Sequence, residues 1–123
     1  MIDKNIGFIG LGNVGSKLAN SILQADYNLF IYDKDKNTSN ELVKKGAIWK
    51  NSVKDILDNT SLIITCLPSP QAVSDVVEKK SGMIEYINNA HLWIEMSTTD
   101  EKEMIRLSKL IESKGAKVLE APV

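Results

Sequence analysis

Ile6-Gly7-Phe8-Ile9-Gly10-Leu11-Gly12-Asn13-Val14-Gly15 is the stretch whose reading decides the fold. An apolar run ends in Gly10-x-Gly12-x-x-Gly15 and opens into a segment of helical period. A dinucleotide pyrophosphate needs this spacing. Gly10 permits a tight strand-to-helix turn, Gly12 lets the backbone approach phosphates with no Cβ between, and Gly15 lets the helix pack closely on the sheet. Amides at the helix N-terminus then point at the anion. Three glycines alone are a weak signal, but here the flanking strand and helix supply the context the motif requires. Gly10, Leu11, Gly12, Asn13, Val14 and Gly15 are therefore expected to bind a dinucleotide cofactor.

The remaining 113 of the 123 residues are consistent with that start, since the chain is long enough for one domain with a single core. It is 43% hydrophobic and 25% charged with a formal net charge of −1, which gives no electrostatic footprint for nucleic acid or an anionic membrane. No apolar run has the length of a membrane span, and the N-terminus lacks a signal-peptide layout. A single cysteine, Cys66, excludes an internal disulfide framework and a cysteine-based metal site. The expected setting is a reducing cytoplasm, with no metal.

Along the chain, Val14, Leu18, Ile22 and Leu23 give the first helix an apolar face, and it is expected to stop near Ala25-Asp26. Asn28 to Tyr32 reads as strand two and ends at Asp33. That acid lies 18 residues after Gly15, where a carboxylate would hydrogen-bond the adenosine ribose. A 2′-phosphate beside Asp33 would be repelled, so NAD is preferred over NADP, with Lys34 and Lys36 partly offsetting the repulsion. Thr38-x-x-Glu41 and Ser52-x-x-Asp55 resemble capping boxes, and Ala47 to Trp49 reads as a short strand between them.

Leu62 to Leu67 is a buried strand stopped by Pro68-Ser69-Pro70, with a helix following from Gln71 and a further helical turn from Gly82 to Ile87. Cys66 reads as a small core residue. His91 stands at the amino end of the next strand, away from where ligands bind, and is rejected as an acid–base residue. Met96-Ser97-Thr98-Thr99 follows that strand, with Thr98-x-x-Glu101 as a candidate cap for a long helix carrying Met104, Leu107, Leu110 and Ile111 inward. Gly115 ends it, and Lys117 to Glu120 is the last strand.

Alternation of strand and helix through residues 1–123 predicts one α/β domain of the doubly wound Rossmann type, strand order 3-2-1-4-5-6. Gly10 to Gly15, Asp33, Leu67-Pro68, Ser97-Thr98 and Ala121-Pro122 each follow a strand. All five therefore fall on the ligand edge of the sheet.

With those positions in hand, the sequence resembles the NAD-binding domain of the β-hydroxyacid dehydrogenases, the group that includes 3-hydroxyisobutyrate and 6-phosphogluconate dehydrogenases. Phe8 to Gly15 resembles the family's opening block, which usually has Met where Val14 stands. Cys66-Leu67-Pro68-Ser69-Pro70-Gln71-Ala72-Val73 resembles the block in which Leu67, Pro68 and a polar residue soon after, here Gln71, contact NAD. Glu95-Met96-Ser97-Thr98 and Glu120-Ala121-Pro122-Val123 resemble the last two, where the family more often has Asp at positions 95 and 120. The resemblance implies that Thr98 approaches the nicotinamide and that Ser97, Pro122 and Val123 lie beside the substrate.

It also implies a helical second domain beyond Val123 that holds the catalytic lysine and most of a homo-oligomer interface. No catalytic residue is assigned within these residues. The whole enzyme is expected to transfer a hydride between NAD and a small 3-hydroxyacid, while residues 1–123 alone bind NAD weakly as a monomer and turn over nothing. Gly12 and Asp33 disfavour the 6-phosphogluconate dehydrogenases, which resemble Gly-Leu-Ala at the turn and favour NADP. Imine reductases share the domain and differ mainly in the second half. A non-catalytic nucleotide-sensing module is the competing class, separated by whether the reading frame continues past Val123 into a Ser-Gly-Gly loop and a helical domain.

Overall fold

The central strands of this chain are short and apolar enough to be buried on both faces, and the helices between the strands supply the two covers. In the computed structural model, which describes residues 4–97 and 100–121, β1 (Asn5–Ile9), β2 (Asn28–Tyr32), β3 (Ile48–Trp49), β4 (Leu62–Thr65), β5 (Leu92–Glu95) and β6 (Lys117–Glu120) form one sheet. Their order is β3-β2-β1-β4-β5-β6 with every pairing parallel. The predicted order is therefore the observed one, with helices on both faces.

Alternation along the strands divides the core in two. Ile9, Phe30, Ile63 and Trp93 face α3 (Val53–Asn59), α4 (Pro70–Glu78), α5 (Met83–Tyr86) and α6 (Glu101–Glu112). Phe8, Leu29, Ile31 and Ile64 face α1 (Asn13–Gln24) and α2 (Asn40–Lys44). Ile56, Met104, Leu107 and Ile111 are fully or almost fully buried, and each contributes roughly 1.5–3 kcal/mol by leaving water.

Helix boundaries follow local chemistry. α1 stops where Asp26 takes the left-handed conformation at φ 67°, a position Asp tolerates. Ser52 and Ser69 cap α3 and α4, their hydroxyls accepting from the amides of Asp55 and Ala72, both at 3.1 Å. Pro70 then occupies the first turn of α4, where its missing N–H costs nothing.

Four local expectations need correction. Val14 is 52% exposed, because Gly15 and Ala19 carry the buried stripe of α1 one position further on. Asp35, not Thr38, caps the 3₁₀ turn Lys36–Ser39 that precedes α2, accepting from the Asn37 amide at 3.0 Å; Thr38 donates back to the Asp35 carbonyl. Asp100 caps α6 through the Glu103 amide at 3.1 Å, two positions beyond the Thr98-x-x-Glu101 pattern. Cys66 falls just past the end of β4, although its amide continues the ladder to the Ile9 carbonyl at 3.0 Å.

The sheet ends differ. β3 is only two residues long, whereas β6 carries four, and Lys117, Leu119 and Glu120 are exposed.

Candidate functional site

The turn between β1 and α1 is built from backbone that side chains would obstruct. Gly10 sits at φ 105°, and a Cβ there would lie 2.2 Å from the Cys66 carbonyl oxygen. A Cβ on Gly15 would lie 2.1 Å from the Gly10 carbonyl oxygen, so these two glycines serve close packing. Gly12 is different: among the described residues nothing stands within 4 Å of its Cβ position. The space in front of it is open, and it leads to the N-terminus of α1.

Among the described residues that N-terminus has no side-chain cap, unlike α3, α4 and α6, and no acidic residue in its first turn, unlike α3 and α6. Its first amides therefore have no partner from their own sequence, and the helix dipole favours an anion there. The residues present fit a pyrophosphate: an open approach at Gly12 and uncapped amides behind it.

Asp33 holds the other side of the turn. Its Oδ2 accepts from the Leu11 amide at 2.7 Å and its Oδ1 from the Asp35 amide at 2.9 Å. The carboxylate ties the glycine turn to the end of β2 while remaining half-buried, with lone pairs left for further donors such as ribose hydroxyls. A cavity of about 370 Å³ lies between Gly12, Asp33, Thr38, Cys66, Leu67 and Pro68. A second of about 150 Å³ adjoins it over Gly10, bounded by Tyr32, Asp33, Lys34, Pro68 and Val76.

The structure thus brings Gly10, Gly12, Asn13, Val14, Gly15, Asp33, Leu67 and Pro68 around one cleft, with Leu11 joined to Asp33 beneath it. Gln71 lies apart. Its amide donates to Asp75 at 2.8 Å along α4, and it lines a separate depression with Pro70, Ser74 and Asp100. Ser97 is buried, and its hydroxyl oxygen accepts from the Leu67 amide at 2.6 Å rather than lining the cleft. Thr98, Pro122 and Val123 lie outside the described residues.

Sequence reading passed over Glu95. It is fully buried in β5, opposite Thr65 in the β4–β5 register, and accepts from the Thr65 hydroxyl and the Ser97 amide. Trp93 Nε1 donates to the same Thr65 hydroxyl at 2.8 Å. Burial pushes the Glu95 carboxyl above the ordinary glutamate range, partly offset by these hydrogen bonds. The available signal was an acid two residues after Trp93 in an apolar strand, hence on the same inward face. Burial also pushes the Cys66 thiol up, with Glu95 adding to the effect, so Cys66 is a poor nucleophile.

His91 is at the opposite end of the sheet, as expected. Its Nδ1 accepts from the Asn88 amide and its Nε2 donates to the Leu57 carbonyl, both at 3.0 Å, which is a structural bracing role. Among the described residues no helix is long and apolar enough to cross a membrane.

A doubly wound sheet with an open glycine turn, an uncapped first helix and an acid at the end of β2 defines a dinucleotide-binding domain. Comparison with known proteins agrees. The profile for the NAD binding domain of 6-phosphogluconate dehydrogenase matches residues 5–123, and the chain belongs to that family.

It is 33% identical over 120 residues to the uncharacterized oxidoreductase YkwC of Bacillus subtilis, covering 98% of this chain and 42% of the relative. Identity is also 33% over 119 residues to glyoxylate/succinic semialdehyde reductase 2 of Arabidopsis thaliana, covering 97% of this chain and 33% of that one. The chain thus spans well under half the length of these relatives.

Among solved structures, an imine reductase variant from Myxococcus stipitatus in complex with NAD+ superposes with a TM-score of 0.88 at 20% identity, covering 100% of this chain and 41% of that one. Psf3 in complex with NADP+ and 2-OPP gives 0.88 at 19%, covering 92% and 40%. These two likenesses are of fold. The family makes the chain an NAD(P)-binding domain of the oxidoreductase type.

Proposed function

We propose that these residues are the cofactor-binding part of an NAD-preferring oxidoreductase acting on a small 3-hydroxyacid or the corresponding carbonyl acid. The observation that carries the cofactor half is the open approach at Gly12 in front of the uncapped α1, with Asp33 fastened to the Leu11 amide beside it. In this reading the α1 amides and Gly12 hold the pyrophosphate, Asp33 takes the adenosine ribose, and Leu67 and Pro68 close the opposite lip. When bound, the nicotinamide supplies the hydride acceptor or donor.

The substrate class is supported by the blocks around Leu67, Ser97 and Ala121 and by the 33% identity to a glyoxylate/succinic semialdehyde reductase. A helical second half would provide the acid–base lysine, most of the substrate pocket and the homo-oligomer contacts. NAD is favoured because the Asp33 carboxylate would oppose a 2′-phosphate.

Calorimetric titration tests this. The unmodified chain is expected to bind NAD more tightly than NADP, and Gly12→Val is expected to weaken NAD at least about tenfold, equivalent to about 1.4 kcal/mol, by filling the open approach. Unchanged affinity in Gly12→Val overturns the pyrophosphate assignment; tighter NADP than NAD overturns the ribose role of Asp33.

A further inference from the structure

Glu95 poses a question that the glycine turn does not answer. A fully buried carboxylate is costly, and among the described residues the side chains it interacts with are Thr65, Ser97 and Glu120, none of them a cation. Its surroundings nevertheless use both oxygens. Thr65 Oγ1 already accepts from Trp93 Nε1, so its single proton is committed to Glu95 Oε2, while the Ser97 amide is committed to Oε1. The Ser97 hydroxyl hydrogen-bonds the carboxyl as well, so three donors face it, which only the ionised form satisfies in full. The line of bonds continues outward: Ser97, held by its amide, turns its hydroxyl oxygen to the Leu67 amide, and Leu67 lines both cavities of the cleft.

From this geometry we infer that Glu95 is a positioning residue for the dinucleotide: its carboxylate holds Ser97 and, through Ser97, the β4 lip at Leu67, and protonating it releases that lip and weakens cofactor binding. The inference rests on the dinucleotide reading above. The ionisable groups facing Glu95 are Glu120, its register partner on β6, and the Cys66 thiol at the end of β4.

The two consequences of this proton run in opposite directions. A carboxyl raised by burial adds stability at low pH and loses that contribution as pH rises through its raised value. Cofactor affinity instead rises with pH over the same window, because only the carboxylate holds the lip. A residue that merely supported the fold would move both together.

The experiment is NAD titration by calorimetry between about pH 5 and 8 on the unmodified chain, Glu95→Gln, Thr65→Ser and Thr65→Val, with amide-exchange protection of Leu67 measured across the same range. Below the Glu95 titration, the unmodified chain and Thr65→Ser are expected to lose affinity by about tenfold per pH unit, the slope for one linked proton. Glu95→Gln and Thr65→Val are expected to bind more weakly at neutral pH and without that slope. Leu67 protection is expected to fall with the same midpoint.

Should Glu95→Gln fail to fold, the Thr65→Ser and Thr65→Val pair carries the same comparison. Equal pH slopes in the unmodified chain and Glu95→Gln, or in the two Thr65 variants, overturn the proposal and leave the cofactor reading standing. Leu67 protection that does not respond to pH also overturns it. No NAD binding at any pH overturns the cofactor reading, and the proposal with it.

Discussion

On the β2 side of the cleft the Asp33 carboxylate grips the Leu11 amide directly, at a half-buried edge that a ligand can reach. On the β4–β5 side the Glu95 carboxylate acts at one remove, through Ser97 on the Leu67 amide, from a site with no exposure at all. Both lips are thus fixed by an acid holding main-chain N–H groups. The difference is in what each acid is free to do. Asp33 keeps lone pairs in reach of ribose hydroxyls and can serve loop and ligand together, whereas Glu95 can influence a ligand only by where it holds the chain.

The largest effect expected is within the first lip, and it separates its glycines. Gly10→Ala meets both a positive φ and the Cys66 carbonyl, and should destabilise the fold by about 4 kcal/mol in urea unfolding. Gly12→Val, with open space around it, should change stability by less than about 1 kcal/mol while impairing NAD binding. A stability loss in Gly12→Val as large as in Gly10→Ala would erase the distinction between packing and ligand glycines.

Next comes the buried acid: Glu95→Ala strands the Thr65 hydroxyl and the Ser97 amide and should cost about 3 kcal/mol. Asp33→Ala removes the acceptor for the Leu11 amide at a wetter site and should cost about 1 kcal/mol. It should also weaken NAD and narrow its advantage over NADP. Equal stability losses from the two acids would deny the contrast between the lips.

The smallest effect lies behind the second lip, where Arg106 on α6 reaches Glu78 on α4 at 2.7 Å and Glu103 on its own helix at 3.1 Å. The Arg106 guanidinium, helped by the Ser74 hydroxyl, holds the Glu78 carboxyl down to about 2. A depressed carboxyl adds stability above the ordinary glutamate range and loses it as pH falls toward that value. Arg106→Gln should therefore flatten the acid side of the melting-temperature profile slightly, as befits an exposed pair. An acid profile identical to that of the unmodified chain would remove the ion pair from the account.

The first lip was legible in the sequence, as was the place of Leu67-Pro68 on the second, but the buried acid that holds the second was not, for a physical reason. Gly10-x-Gly12-x-x-Gly15 and Asp33 are local constraints, each imposed by a turn or a strand end that the pattern itself announces. All six strands were legible too: the central ones are apolar runs buried on both faces, and the short outer ones follow from their place in the strand–helix alternation. Thr65 and Glu95 meet only because β4 and β5 are neighbours in a given register, which is a tertiary fact.

The caps failed for a smaller cause. Around 35–41 several Ser, Thr and Asp side chains compete for the same amides and Asp35 wins, and α6 is capped by Asp100. The exposure of Val14 shows the same limit: a helix facing one way can place its first apolar residue beside the cleft rather than under it.

The two ends of the sheet also govern how this chain behaves in company. An edge strand offers unpaired amides and carbonyls to any extended neighbour, and a sheet of parallel strands has two such edges to protect. β3 protects one by brevity, leaving little backbone to template against. β6 presents a longer edge, with charged Lys117 and Glu120 bracketing Val118 and Leu119. Within the described residues, strand-to-strand pairing is thus resisted by brevity at β3 and by those two charges at β6.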